Sequence, residues 1–294
     1  MAWLIPFISF HFTSLLFVTI HFLSDHAGVS NAQLIKEEAP IAKLYAHRSV
    51  AEQNSVDISW DLLMDPQYED LRAAIYDSQE ELLHLRQLIV NIVLATDIFD
   101  STMKGIREKR WEHAFAEIHD IAQEAPVAEA ADKRPAPLHA SQRGEASVRE
   151  NEDDEELQLH LKATVVMEHL IQASDIAHTM QHWDIFLKWN ERLFHEMMLA
   201  WEAGRGPPKD PSESWYAGEI FFFDKYIIPL AKKLQDTKVF GASSDECLNY
   251  ANMNRTLWSV HGEEQVEKYK KSYEEYKRKR LKMIRGNDEL QKMR

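Results

Sequence analysis

The sequence is poor in the residues that cross-link a chain or break its helices. Its 294 residues include one cysteine, nine glycines and ten prolines. The single Cys247 excludes an intrachain disulfide and is typical of a protein from a reducing, cytoplasmic compartment. Few glycines and prolines, with little alternation of polar and apolar residues, favour long helices over strands. With 45% hydrophobic residues, the chain is predicted to form an all-α fold with one sizeable core.

Positive charge is also scarce. The 34 lysines and arginines are outnumbered by 48 aspartates and glutamates, which gives a formal net charge of −14. This balance argues against a nucleic-acid partner, because proteins bind the phosphate backbone through clustered cations. It also means that an anionic substrate would be repelled unless a metal ion or a basic pocket reverses the local field.

The first 24 residues form an apolar segment. Residues 2–24 contain no lysine, arginine, aspartate or glutamate and are rich in phenylalanine, leucine and isoleucine. Such a run is long enough to span a membrane, which takes about 20 residues. A secretory signal is a second interpretation, but the positive charges that begin such a signal are missing.

Residues 161–180 (LKATVVMEHLIQASDIAHTM) are predicted to be helical, because apolar residues recur near helical spacing and no glycine or proline interrupts them. Near the end of this stretch Asp175 lies among apolar and small residues, with His178 almost one turn later. A buried carboxylate needs a partner, so Asp175 could form an ion pair, cap the next helix or bind a metal. One aspartate and one histidine do not define a metal site, so the spacing alone favours the first two roles.

A second stretch, residues 215–230 (WYAGEIFFFDKYIIPL), combines a carboxylate with aromatic residues. On a helix Glu219, Phe222, Phe223 and Tyr226 share one face. Such a face could hold a planar ring, with the aromatic side chain on the ring face and the carboxylate at its edge. An aromatic stripe is more often part of a core. Pro229 is expected to kink or end this helix.

Four motifs together resemble the class I cyclic nucleotide phosphodiesterases. They are residues 25–31 (DHAGVSN), residues 94–97 (LATD), residues 174–179 (SDIAHT), and the set Glu219, Phe222, Asp224 and Pro229 with Leu230. They follow the order of that family and extend from about Asp25 to about Trp258. The resemblance implies an all-α, multi-helix phosphodiesterase-like domain that lacks the family's N-terminal helices.

The resemblance also implies a reaction and its site residues. Family members hydrolyse the 3′ ester of cyclic AMP or cyclic GMP in signal transduction. They use two divalent metal ions, zinc plus magnesium or manganese. Asp175 matches a metal ligand, and Phe222 matches the aromatic residue that stacks on the base. Glu219 replaces the usual glutamine, and His178 stands where an asparagine is common. His26 and Glu52 fall at catalytic positions, with Glu52 as the residue that steadies the general-acid histidine.

Other family positions are not matched. Phe22 and Leu23 stand where a His-Asp pair of metal ligands is expected, and no His-Asn-x-x-His motif lies upstream. Neither side chain can bind a hard cation, so we expect this chain to be inactive or nearly so. The alternative function is a non-catalytic helical regulatory or interaction module, a pseudoenzyme. An ionised Glu219 only accepts hydrogen bonds, which leaves the choice between cyclic AMP and cyclic GMP open.

The expected organisation has three parts. Residues 1–24 are either a non-native start, the first choice, or a membrane anchor. Residues 25–262 form a partial catalytic domain with a disordered insertion at about 124–156, which is rich in Ala, Glu and Pro. Residues 263–294 form a charged C-terminal helix. The expected partner is a cyclic nucleotide. A homodimer and membrane association through residues 2–24 are further candidates.

Overall fold

The structure is a computed structural model that describes residues 28–115 and 145–292. The apolar segment of residues 1–24, His26 and the part of the expected insertion between residues 124 and 144 lie outside the described residues. Within the described ranges every regular element is a helix, and the all-α prediction is confirmed. None of the helices in these ranges is long and apolar enough to cross a membrane.

Residues 28–115 contain six helices and one short 3₁₀ turn. They are α1 (Asn31–Lys36), α2 (Pro40–Leu44), α3 (Val50–Met64), the 3₁₀ turn Pro66–Tyr68, α4 (Glu69–Ala73), α5 (Gln79–Leu94) and α6 (Ser101–Ala114). Helices α3 and α5 pack on each other, and both α5 and α6 pack on the long helix that follows. The apolar side chains Val56, Ile89, Ile92 and Val93 are buried at these contacts.

The C-terminal part supplies the main core. Its elements are α7 (Glu145–Asp175), the 3₁₀ turn Ala177–Met180, α8 (Trp183–Glu202), α9 (Pro211–Phe222), a π-helical turn (Phe223–Ile227), α10 (Ile228–Thr237), the 3₁₀ turn Gly241–Ser243 and α11 (Glu246–Lys292). Helices α8, α9 and α10 surround α11. Phe186, Phe194, Phe223 and Trp258 are completely buried where they meet, so burial of large aromatic rings contributes to the stability of this half.

Polar residues in the sequence fix several helix starts. The side chains of Ser30, Ser78, Asp100 and Asp210 each accept a hydrogen bond from a backbone N–H two or three residues later. These bonds satisfy N–H groups that have no partner inside the helix.

The helix of residues 215–230 does not end at Pro229, contrary to one of the two expected outcomes. The chain passes from α9 through the π-helical turn into α10, which continues to Thr237. The N–H of Ile228 donates to the carbonyl of Phe223, five residues earlier. Pro229 therefore lies in the first turn of α10, directly after the π-helical turn.

Two helices are longer than predicted. Helix α7 begins at Glu145, so residues 145–156, which the sequence assigned to the disordered insertion, are helical. Their glutamate, alanine and arginine residues have good helix propensity, which favours a helix here. At the other end of the chain, α11 is continuous from Glu246 to Lys292 and includes the predicted charged C-terminal helix.

Candidate functional site

The site predicted from the sequence lies where α7 ends. Asp175 is the last residue of α7 and is half-buried. The helix is held in place three residues earlier, where Gln172 Nε2 donates a 2.6 Å hydrogen bond to the carbonyl of Ala95 at the end of α5. Burial, and Asp175 to a smaller degree, raise the pKa of Tyr226 on the π-helical turn, while Arg107 opposes them. Asp175 is therefore within electrostatic reach of the aromatic segment that follows α9.

Three separate segments of the chain meet around Asp97. Ser49 Oγ donates to Asp97 Oδ2 at 2.8 Å, and Asn31 Nδ2 donates to the same oxygen at 3.2 Å. Asn31 Nδ2 also donates to Glu52 Oε2 at 2.8 Å, and its Oδ1 accepts from the N–H of Ala51 at 2.9 Å. Asn31 thus connects α1, the start of α3 and the LATD motif of residues 94–97. In this structure Glu52 contacts Asn31.

Glu219 is buried in the last turn of α9. It is 9% exposed, next to Asn190 of α8, which is 1% exposed. Burial raises the pKa of Glu219 to about 7, although a hydrogen bond from Asn190 opposes the shift. Asn190 Oδ1 accepts a 3.0 Å hydrogen bond from Trp215 Nε1, one turn earlier in α9. The amide of Asn190 is thus fixed between two residues of one helix. At neutral pH Glu219 is close to half protonated.

The aromatic face predicted for residues 215–230 divides into two parts. Phe222 and Tyr226 are half-buried and stack with their ring centroids 5.4 Å apart and their planes at 14°. Phe223 is completely buried and packs edge-to-face on Phe186. Phe223 is therefore core, while Phe222 and Tyr226 form a ring pair that is partly open to solvent.

His178 lies in the 3₁₀ turn directly after α7. Its ring is parallel to that of Phe186, with centroids 6.5 Å apart. Burial lowers the pKa of His178 to about 4, so the side chain is uncharged at neutral pH. The turn is held by Asn254 of α11, whose Nδ2 donates to the carbonyls of Thr179 at 2.9 Å and Gln181 at 2.7 Å.

One charged pair near the site was missed by the sequence analysis. Glu168, in the middle of α7, is 1% exposed and accepts a hydrogen bond from Arg110 of α6. Burial raises the pKa of Glu168 to about 7 against the opposing charges of Arg110 and Arg107. The signal was present in the sequence, because Glu168 falls on the apolar face of residues 161–180, one turn after Val165.

Comparison with known proteins decides the family. The family model described as 3′5′-cyclic nucleotide phosphodiesterase matches residues 7–240. The chain belongs to this family. The matched region includes most of the apolar segment and all the elements up to Phe240, among them Asp97, Asp175, Glu219 and Phe222.

Individual phosphodiesterases match over smaller regions. The cGMP-inhibited 3′,5′-cyclic phosphodiesterase 3A of Homo sapiens is 40% identical over 75 residues, which are 25% of this chain and 6% of that protein. The dual specificity calcium/calmodulin-dependent phosphodiesterase 1B of Bos taurus is 22% identical over 219 residues, which are 72% of this chain and 32% of that protein. The chain therefore spans less than a third of these relatives.

Solved phosphodiesterase domains have the same fold. The phosphodiesterase domain of the Salpingoeca rosetta rhodopsin phosphodiesterase superimposes with a TM-score of 0.57 at 20% sequence identity. The match covers 90% of this chain and 70% of that domain. At this identity the likeness supports the fold and says nothing about the site.

The phosphodiesterase family implies divalent metal ions, and the described residues do not fit a complete metal centre. Within residues 28–115 and 145–292 no three histidine, cysteine, aspartate or glutamate side chains come together in a way that could hold a metal ion. Asp97 and Glu52 share Asn31 as a donor, and Asp175 is the last residue of α7. We therefore derive no catalytic step through a metal.

Proposed function

We propose that this domain recognises cyclic AMP and/or cyclic GMP, the signalling nucleotides that its family hydrolyses to 5′-monophosphates, and that hydrolysis by this chain itself is absent or very low. The family membership supports the reaction class. The observation that carries the assignment to this chain is the position of Tyr226. It stacks on Phe222 and is also within electrostatic reach of Asp175. Tyr226 thereby connects the two stretches that the sequence singled out.

The base would lie against the half-buried ring pair of Phe222 and Tyr226. Aromatic side chains bind purine rings by stacking, which contributes about 1–3 kcal/mol per base and depends little on the identity of the base. A stacking surface alone therefore does not distinguish adenine from guanine. That distinction needs polar groups at the edge of the ring, and Glu219 and His178 are the candidates from the adjoining elements.

Glu219 gives this chain an unusual polar group at that position. Its ionised form accepts hydrogen bonds, as the exocyclic amine of adenine or the N1–H of guanine would require. Its protonated form also donates one, to N1 of adenine or O6 of guanine. Because burial brings its pKa to about 7, both forms are present at neutral pH. We expect the preference between the two nucleotides to change between pH 6 and pH 8.

Binding by isothermal titration is the direct test of this function. We expect cyclic AMP or cyclic GMP to bind to the full chain, and Phe222→Ala to weaken binding about tenfold, since it removes one face of the stack. Phe221→Ala is the matched control, because Phe221 is the preceding residue and is 66% exposed. If neither nucleotide binds to the unmodified chain, the proposal is wrong.

Turnover is the second measurement, made with magnesium, manganese or zinc added. Because of the unmatched ligand positions, we propose that turnover of this chain is absent or very low. Hydrolysis that requires a divalent metal and is abolished by Asp175→Ala, but not by Asp184→Ala on the surface of α8, would show an active enzyme and contradict that expectation. Binding without turnover would identify a nucleotide-binding module without catalysis.

A further inference from the structure

A pocket of about 200 Å³ lies between α6, α7 and the helix that runs from the π-helical turn into α10. Its charged lining comes from α6 and from the segment around α10. The cations are Lys104, Arg107, Lys225 and Lys233, and Glu108 is the acidic residue among the lining side chains. In a chain with a net charge of −14 this is a local excess of positive charge, and such a pocket attracts anions.

The cations of the pocket repel one another. Burial is the main cause that lowers the pKa of Lys233. Glu108 and Glu112 oppose the shift, and Arg107 and Lys104 add to it. The Lys233 ammonium is held over the ring of Trp111, 4.9 Å from the ring centroid. A bound anion would reduce the repulsion among these groups.

Arg107 has hydrogen-bonding capacity that the described part of the chain does not use. The residue is 7% exposed, and its Nη1 has no hydrogen-bond partner among the described residues. Its Nη2 makes one long contact, 3.4 Å, to the carbonyl of Asp97. Buried polar groups are normally paired, and the planar guanidinium suits the oxygens of a phosphate. The nearby buried acid Glu168 is hydrogen-bonded to Arg110 through Oε1, while its Oε2 has no hydrogen-bond partner among the described residues, and the charge of Arg107 helps to lower its pKa.

The pocket also adjoins the ring pair. Tyr226 lines the pocket and stacks on Phe222. A phosphate group in the pocket would therefore lie beside the aromatic surface assigned above to the base. This relation connects the anion that the pocket can hold with a nucleotide as its carrier.

We propose that this pocket binds the phosphate group of a nucleotide through the side chains of Lys104, Arg107 and Lys233. The identity of the carrier rests on the proposed function, whereas the binding of a phosphate rests on the pocket alone. The recognition uses charge-assisted hydrogen bonds from protein cations, so it needs no divalent ion. It should weaken as the salt concentration rises.

Titration calorimetry of the full chain in the presence of EDTA tests the proposal. The probes are inorganic phosphate, cyclic AMP and 5′-AMP, which separate the anion itself from its two nucleotide carriers. The variant K104Q/K233Q removes two cations of the pocket and leaves the buried Arg107 in place. The matched control is K109Q/K232Q, which changes two exposed lysines of the same helices that do not line the pocket. Circular dichroism establishes that both variants are folded.

We expect phosphate and 5′-AMP to bind to the unmodified chain, about tenfold more weakly to K104Q/K233Q, and unchanged to K109Q/K232Q. Absence of phosphate binding to the unmodified chain would overturn the proposal. An equal loss in both double variants would also overturn it, because the effect would then come from total charge.

Phosphate binding that depends on the pocket without any cyclic AMP binding would retain the pocket and contradict the proposed function. Cyclic AMP binding that is unaffected by K104Q/K233Q would retain the proposed function and contradict the phosphate pocket.

Discussion

Arg110 of α6 donates a hydrogen bond to the carboxylate of Glu168, which is almost completely buried in α7. The pair joins two helices that are separated in sequence by the expected insertion. Removing one partner of such a pair leaves an uncompensated buried charge, which typically costs about 3–5 kcal/mol. The pair therefore fixes the position of α6, and with it one wall of the basic pocket.

Arg110→Met should destabilise the protein strongly at pH 8 and less at pH 5.5. Burial raises the pKa of Glu168 to about 7, and loss of Arg110 would raise it further. Below that pKa the glutamate is neutral, and its burial costs less. Urea unfolding at the two pH values measures the difference. Lys109→Met, an exposed neighbour, is the control. Equal losses at pH 8 and pH 5.5 would show that Glu168 stays ionised.

Glu219→Gln should change how stability depends on pH. The pKa of Glu219 is about 7 in the folded state against an ordinary value of 4.5, so the folded state binds the proton more tightly than the unfolded state. Stability from this group is therefore greatest below pH 4.5 and declines as the pH rises to about 7, by on the order of 3 kcal/mol. Glutamine removes this decline.

The measurement is the free energy of unfolding of both proteins from pH 5 to pH 8. The difference between Glu219→Gln and the unmodified chain should move in favour of the variant as the pH rises. Glu213→Gln, at an exposed position of the same helix, should give a constant difference. Parallel curves for Glu219→Gln and the unmodified chain would show that the carboxylate is not shifted.

Two glycines in helices should respond to alanine in opposite ways. A Cβ at Gly262 in α11 would lie 2.8 Å from both Trp258 Cε2 and Tyr216 Cδ2, and overpacking of this kind costs about 1–3 kcal/mol. A Cβ at Gly218 in α9 would have no atom within 4 Å, so the better helix propensity of alanine should stabilise by about 0.5–1 kcal/mol. Thermal melting of the two variants compares them directly. A stabilised Gly262→Ala variant would mean that the two rings can move apart.

Asn31→Ala should loosen the junction of α1, α3 and the LATD segment. The substitution removes the donor shared by Glu52 and Asp97 and the acceptor of the Ala51 N–H. We expect a loss of about 1–3 kcal/mol in the free energy of unfolding, because partly buried polar groups lose their partners. Gln33→Ala in the same helix removes one exposed hydrogen bond and should cost only about a few tenths of a kcal/mol. Similar losses in the two variants would argue against a shared network.

Local features of the fold could be predicted from the sequence better than its long-range pairs. The helix of residues 161–180 was expected from the spacing of its apolar residues, and the helix that carries Glu219 from its aromatic face. Both exist because burial of those side chains requires a helix. The pairing of Arg110 with Glu168 joins residues 58 positions apart, and no local pattern specifies such a partner.

The candidate site shows the same limit. The positions of Asp175, Glu219, Phe222 and His178 followed from the resemblance, which the family match supports. Their environments did not follow from it. The packing of helices that are separated in sequence decides these environments. It places Glu219 beside Asn190, and it buries Phe223 in the core but not Phe222. The roles of His26 and Glu52 in catalysis stay predictions.

The π-helical turn between α9 and α10 sets the directions in which the side chains of α10 point. An α-helix over the same span would need one residue fewer, and each residue advances a helix by about 100°. Without the extra residue, Leu230 and Leu234, which are now buried, would rotate away from the core, and Lys233 would leave its place over Trp111. The single added residue therefore sets the orientation of the whole of α10, so that Leu230 and Leu234 face the core while Lys233 lies over Trp111.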